Sequence, residues 1–184
     1  MTKIILVFLL SSFHSFSQEE SCANYLFIKL LVFNEKSEIL LVNWNGKWEV
    51  PGLKYNSTLS INDFGLKMNK ALGIETSSKH RLNGSFSVFS LGKEKPSIMN
   101  YYTTIYTTGT IQAPPGCSEA KWYTFEEAME KIPYADMKDI LNYINEDKCS
   151  VYGGTIVRKK NTSGGEDLIE YEVPIYKLAD CKTN

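Results

Sequence analysis

Apolar positions along the 184-residue chain fall into short runs separated by polar turns, and the period of each run predicts an element. Residues 25–33 and 39–42 are apolar and aromatic, and Asn34-Glu35-Lys36-Ser37 between them has turn character, so the two predict a β-hairpin. The period then changes. Ile61, Phe64, Met68 and Leu72 recur at helical spacing and predict a helix over 61–72 with one apolar stripe. Ser60 suits its N-cap, with Asp63 three residues on, and Gly73 suits the left-handed position after its last turn. Residues 81–91 and 97–108 predict strands rich in Tyr, Ile and Thr, joined by a turn at 92–96. Ala113-Pro114-Pro115-Gly116 predicts a rigid loop, and 120–123 a short strand. Thr124 opens a helix with Glu127 at capping-box spacing. A last helix over 136–144 places Met137, Ile140, Leu141 and Ile144 on one face. Strand character returns at 155–159 and 168–173 around a turn at 161–165, so 149–184 is expected to form a small C-terminal hairpin appendage.

Composition fits a soluble globular chain, 43% hydrophobic and 22% charged, of a length for one domain with a small extension. The formal net charge of −1 gives no polybasic surface for nucleic acid or membrane lipids. Lys3, the apolar run 4–10 and the small polar residues 11–17 have the order of a secretory signal peptide, expected to be cleaved after Ser17. The run is too short to span a bilayer. The mature chain is therefore expected to be secreted or periplasmic, with a charge of −2 once Lys3 is removed. In that compartment its four cysteines, Cys22, Cys117, Cys149 and Cys181, favour disulfides. Three connectivities are open. Cys149–Cys181 is favoured because these two bracket the C-terminal tail. Zinc is disfavoured because no pair has C-x-x-C spacing.

Three stretches resemble the Nudix hydrolase superfamily. Leu40-Leu41-Val42 leads into Trp48-Glu49-Val50-Pro51-Gly52, close to the W-x-x-P-G-G motif. The helix ends Leu72-Gly73-Ile74, like the x-G-U terminus of the Nudix box. Glu119-Ala120-Lys121-Trp122-Tyr123 precedes a capped helix, as in that family's late strand. The resemblance covers 24–146 and implies an α/β/α sandwich around a mixed sheet. It also implies a loop–helix that holds magnesium and cleaves nucleoside diphosphates linked to another moiety.

The box G-x5-E-x7-R-E-U-x-E-E-x-G-U, aligned on Gly73 and Ile74, places Gly52 at the opening glycine and Thr58 at the first glutamate. Leu66 falls at the arginine, Lys67 at the next glutamate, and Lys70 and Ala71 at the glutamate pair. Aligned on Trp48 the loop is one residue short. Neither register retains a box glutamate. Magnesium needs oxygen ligands. Lysine offers none, and an ammonium repels a divalent cation. Lys67 and Lys70 share a helix face, which reads as a solvated face or as a receiver for an anion such as phosphate.

Acids that could substitute are Glu49, Glu75, Glu119, Glu126 and Glu127. The last two suit the first turn of a helix, which leaves Glu119 as the fallback catalytic candidate. The mature chain's one histidine, His80, reads as a surface residue. The sequence thus points to an exported Nudix-like protein without the box chemistry, a binding or interaction module with Lys67, Lys70 and Trp48 as candidate ligand contacts. It would use no cofactor, and its partner would be a small anionic ligand or a protein. The alternative is an active hydrolase with relocated acids, which would need magnesium.

Overall fold

The computed structural model describes residues 25–77, 79–90, 95–159 and 168–180. The segment 1–17 expected to be a signal peptide, Cys22, Cys181 and the turn at 161–165 lie outside them.

One mixed sheet organises the chain. Its centre is β1 (Leu26–Phe33), which runs parallel to β7 (Ser97–Gly109) from Leu26↔Ile98 to Phe33↔Ile105. The near-continuous apolar sequence of β1 follows from this position, because a central strand is covered on both faces. β6 (Arg81–Ser90) lies antiparallel to β7 on the far side. On the near side are β2 (Ile39–Trp44) and β3 (Lys47–Glu49). Three short or flanking strands complete the sheet: β4 (Gly52–Lys54) on β1, β5 (Ile74–Thr76) on β7, and β8 (Cys117–Tyr123) on β2.

The expected β1–β2 hairpin forms. Its strands share a registered pair only at Phe33↔Ile39, and the N-terminal half of β1 pairs with β4 instead, from Phe27↔Lys54 to Lys29↔Gly52. The segment between β2 and the first helix is thereby inserted beside β1.

Helices cover both faces. Helix α1 (Ile61–Ala71) buries Phe64, Met68 and the following Leu72 against Ile28, Leu30, Val32, Leu40 and Val42. On the other face α2 (Phe125–Lys131) and α3 (Ala135–Glu146) bury Ala128, Met137, Ile140, Leu141 and Ile144 against Leu31, Phe33, Ile39 and Leu41. Odd and even residues of β1 and β2 therefore serve different cores, as a pleated strand requires. A fully buried side chain such as Phe64 contributes about 1.5–3 kcal/mol. The Thr124 capping box is complete, with both reciprocal bonds to Glu127 made.

The C-terminal hairpin forms from β9 (Val151–Lys159) and β10 (Leu168–Ala179), but it is built into the sheet. β9 runs parallel to β6 from Gly84↔Tyr152 to Ser90↔Arg158, so the appendage expected from the sequence extends the main sheet. The physical reason is that Tyr152, Gly154 and Ile156 share one buried face of β9, with Tyr152 and Ile156 packed into the core under α2 and α3. Among the described residues no helix is long and apolar enough to cross a membrane.

Candidate functional site

The loop–helix between β2 and β5 is built from specific local interactions. Pro51 is buried, and its carbonyl accepts from Leu30 N–H at 2.8 Å, fixing the loop to β1. Gly52 leaves room for the Lys29 side chain: a Cβ there would stand 2.6 Å from Lys29 Cδ. At the start of α1 Ser60 Oγ accepts from Asp63 N–H at 3.1 Å and donates to Asp63 Oδ2 at 2.6 Å. At its end Gly73 has φ of +71°, and a Cβ there would collide with the Thr110 carbonyl oxygen. The frame expected from the sequence is therefore present with its caps.

The charge inside the frame is a pair that joins β1 to β3. Lys29 Nζ donates to Glu49 Oε2 at 2.7 Å, with side chains 9% and 13% exposed. The pair sits where β1 leaves β2 for β4. Its field reaches both sides of the sheet. The Cys117 thiol is pushed up by burial and by Glu49, with Lys29 opposing. The buried Tyr101 phenol is pushed up by burial first, then by Asp136, with Glu49 contributing and Arg158 opposing.

The sequence candidates do not converge on this pair. Lys67 and Lys70 are exposed on α1, with Lys67 Nζ 6.0 Å from the Phe64 ring centroid. Trp48 is half-buried on the opposite face, edge-on to Tyr123 at 5.2 Å and against the core of α2 and α3. Since α1 packs on the other core, the sheet stands between Trp48 and the two lysines. Glu119 lies opposite Asn43 in the β2–β8 ladder and is ion-paired with Lys121 at 2.5 Å. Glu75 is exposed on β5, and Glu126 and Glu127 form the first turn of α2. His80 differs from the surface residue expected. It is half-buried against Gly65 of α1 and lies 3.3 Å from both Asn62 Oδ1 and Asn69 Nδ2. Burial lowers its pKa from the ordinary value.

This donor set does not fit magnesium. The helix positions at issue carry Leu66, Lys67, Lys70 and Ala71, and Glu49 already has a buried ammonium as partner. Among the described residues, no three His, Cys, Asp or Glu side chains stand together as a metal site. What the arrangement offers is an amphipathic helix whose exposed face carries Lys67 and Lys70 beside Asp63, and a neutralised ion pair between β1 and β3.

A second polar cluster lies at the other end of the sheet. Arg158 of β9 donates to Asp136 Oδ2 of α3 through Nε at 3.1 Å and a terminal nitrogen at 2.5 Å. Asp136 is 1% exposed, and its Oδ1 and the Tyr101 hydroxyl are buried without a protein partner. Nearby, Tyr171 of β10 donates to Asp139 Oδ2 at 2.6 Å. Sequence reasoning named Glu49 as a spare acid but missed its pairing with Lys29, and it missed the Arg158–Asp136 cluster. Lys29 interrupts an apolar strand, a signal that could have been followed to an acid. Arg158 and Asp136 are 22 residues apart on different elements, with no periodicity to link them.

No protein-family model and no curated protein matches the sequence. Solved structures do. A mutator MutT protein from Bacillus halodurans superposes with a TM-score of 0.63 at 20% identity, covering 80% of this chain and 97% of that one. A NUDIX hydrolase from Nitrosomonas europaea gives 0.60 at 13% identity, covering 73% and 80%. The NUDIX domain of Shewanella oneidensis NrtR, solved with ADP ribose, gives 0.56 at 16% identity, covering 67% and 88%. The fold is Nudix-like.

Proposed function

We propose that this chain is an exported Nudix-like protein that does not cleave diphosphates through a metal held on α1, and that it works as a binding or interaction module. The observation that carries the reading is the charge of the box helix. Lys67 and Lys70 stand at glutamate positions, and the buried carboxylate of Glu49 is 2.7 Å from Lys29 Nζ. Exposed lysines on one helix face attract anions, so a small anionic ligand or an acidic partner surface is the class we assign to that face. The ADP ribose in the Shewanella oneidensis structure makes it a first probe here.

Export is supported by the order of residues 1–17 and by the cysteines. In the β9–β10 ladder Ala179 opposes Val151. Cys149 and Cys181 each lie two residues beyond this pair in sequence, which supports their pairing as a disulfide in an oxidising compartment. Cys117 is a free thiol, half-buried.

The test uses purified residues 18–184. They are incubated with ADP ribose, nucleotide sugars and dinucleoside polyphosphates plus magnesium or manganese, and phosphate-containing products are measured. Absence of metal-dependent product supports the proposal. Turnover that disappears in Glu119→Gln overturns it in favour of a hydrolase with relocated acids.

A further inference from the structure

Between α3 and β10 lies an open groove of about 430 Å³, lined by Asp139, Tyr143, Tyr171, Pro174 and Ile175. It is on the α2–α3 side of the sheet, remote from α1. We propose that this groove binds the side chain of an arginine presented by a partner protein. The proposal goes beyond the reading given above and stands whether or not the chain hydrolyses anything.

The lining matches a guanidinium on an apolar stem. Asp139 and Tyr143 are four apart on α3 and so lie on one helix face. The Tyr143 ring is set by its contact with the Tyr152 ring at 5.5 Å, although the residue remains 41% exposed. Tyr171 is oriented by its bond to Asp139 Oδ2, which leaves Oδ1 as an acceptor toward a cation. A planar guanidinium can bond that oxygen and stack on a tyrosine face, while Pro174 and Ile175 cover its methylenes.

The local charge is of the right sign. The Tyr171 hydroxyl is pushed well above its ordinary range by burial first, then by its bond to Asp139, and by the fields of Asp139 and Asp136. The basic groups of β9 and β10 are engaged elsewhere, Lys159 with Glu170. Arg158 is held by Asp136, and Lys177 lies 3.1 Å from both Asp147 and Asp180. Lys138 follows Asp136 and precedes Asp139 in sequence but stands about 100° round the helix from Asp139. Among the described residues, the groove therefore presents a carboxylate and two phenol rings with no cation of its own set into it.

The experiment is an amide NMR titration of ¹⁵N-labelled residues 18–184 with acetyl-Gly-Arg-Gly-amide at millimolar concentrations, beside the isosteric citrulline peptide. The arginine peptide is expected to shift amides at 139–143 and 171–175. Citrulline, or the variant Asp139→Asn, is expected to weaken binding about tenfold, the loss of one charged hydrogen bond. The Asp139→Asn spectrum must otherwise overlay that of the parent, which separates lost binding from lost fold. Absence of shifts, equal binding of citrulline, or shifts centred on α1 overturns the proposal.

Discussion

Lys29 on β1 and Glu49 on β3 form an ion pair at 2.7 Å across 20 residues of sequence, and both side chains are almost fully buried. It ties β3, next to the loop that leads into α1, to β1, and it leaves the Glu49 carboxylate already partnered by an ammonium. Burying both charges costs desolvation, so the pair is costly to break and dispensable as a unit. Lys29→Met, which strands Glu49, is expected to lower stability by about 3–5 kcal/mol. The double variant Lys29→Met/Glu49→Leu is expected to recover most of that loss. Urea denaturation midpoints at constant slope measure both. A double variant no better than the single would show that the pair has a role the charge argument misses.

The Lys67–Lys70 face gives a prediction about metal. Replacing both lysines with glutamate would add two carboxylates to that of Asp63, at helical spacing on one side of α1. Without metal, like charges on one face lower stability by about 0.2–0.5 kcal/mol per pair. Added manganese should raise the thermal midpoint of the variant Lys67→Glu/Lys70→Glu and leave the parent unchanged. Equal responses of the two proteins would mean that the lysines are not what excludes metal from this helix.

His80 gives a prediction about pH. Its folded pKa is lowered by burial, so between that value and about 6.5 the unfolded chain holds a proton that the folded chain does not. Unfolding then takes up a proton, and stability rises with pH across this window. Acidification from above about 6.5 should therefore lower the unfolding midpoint, and the fall should level off below the folded pKa. His80→Gln should show a smaller fall over the same interval. Parallel pH profiles for the two proteins would contradict the assignment.

The cysteines give a prediction about covalent structure. Peptide mapping of exported protein without reductant should find Cys149 joined to Cys181 and Cys117 free. Four free thiols would contradict both the pairing and the compartment.

Much of the architecture was legible in the sequence because local signals carry it. The stripe of Ile61, Phe64, Met68 and Leu72, the caps at Ser60, Thr124 and Gly73, and the apolar face of α3 are each set by residues within a few positions of one another. The long-range features were not legible. That β9 would join β6 depends on which strand edge is open, a property of the assembled sheet. The partner of Lys29 lies 20 residues on, and that of Asp136 22, with no spacing rule to find them. The candidate ligand contacts show the same limit. Lys67, Lys70 and Trp48 belong to one loop–helix segment, yet the sheet separates them, because Trp48, in the middle of β3, faces the core of α2 and α3.

If the Nudix-like frame has lost the means to hold metal on its helix, product release from diphosphate substrates reports it most directly. ADP ribose and nucleotide sugars are incubated with residues 18–184, in magnesium or manganese and in chelator. Rates equal to the protein-free control are expected under both conditions. Metal-dependent turnover that is abolished by Glu119→Gln or Glu49→Gln would contradict the proposed loss.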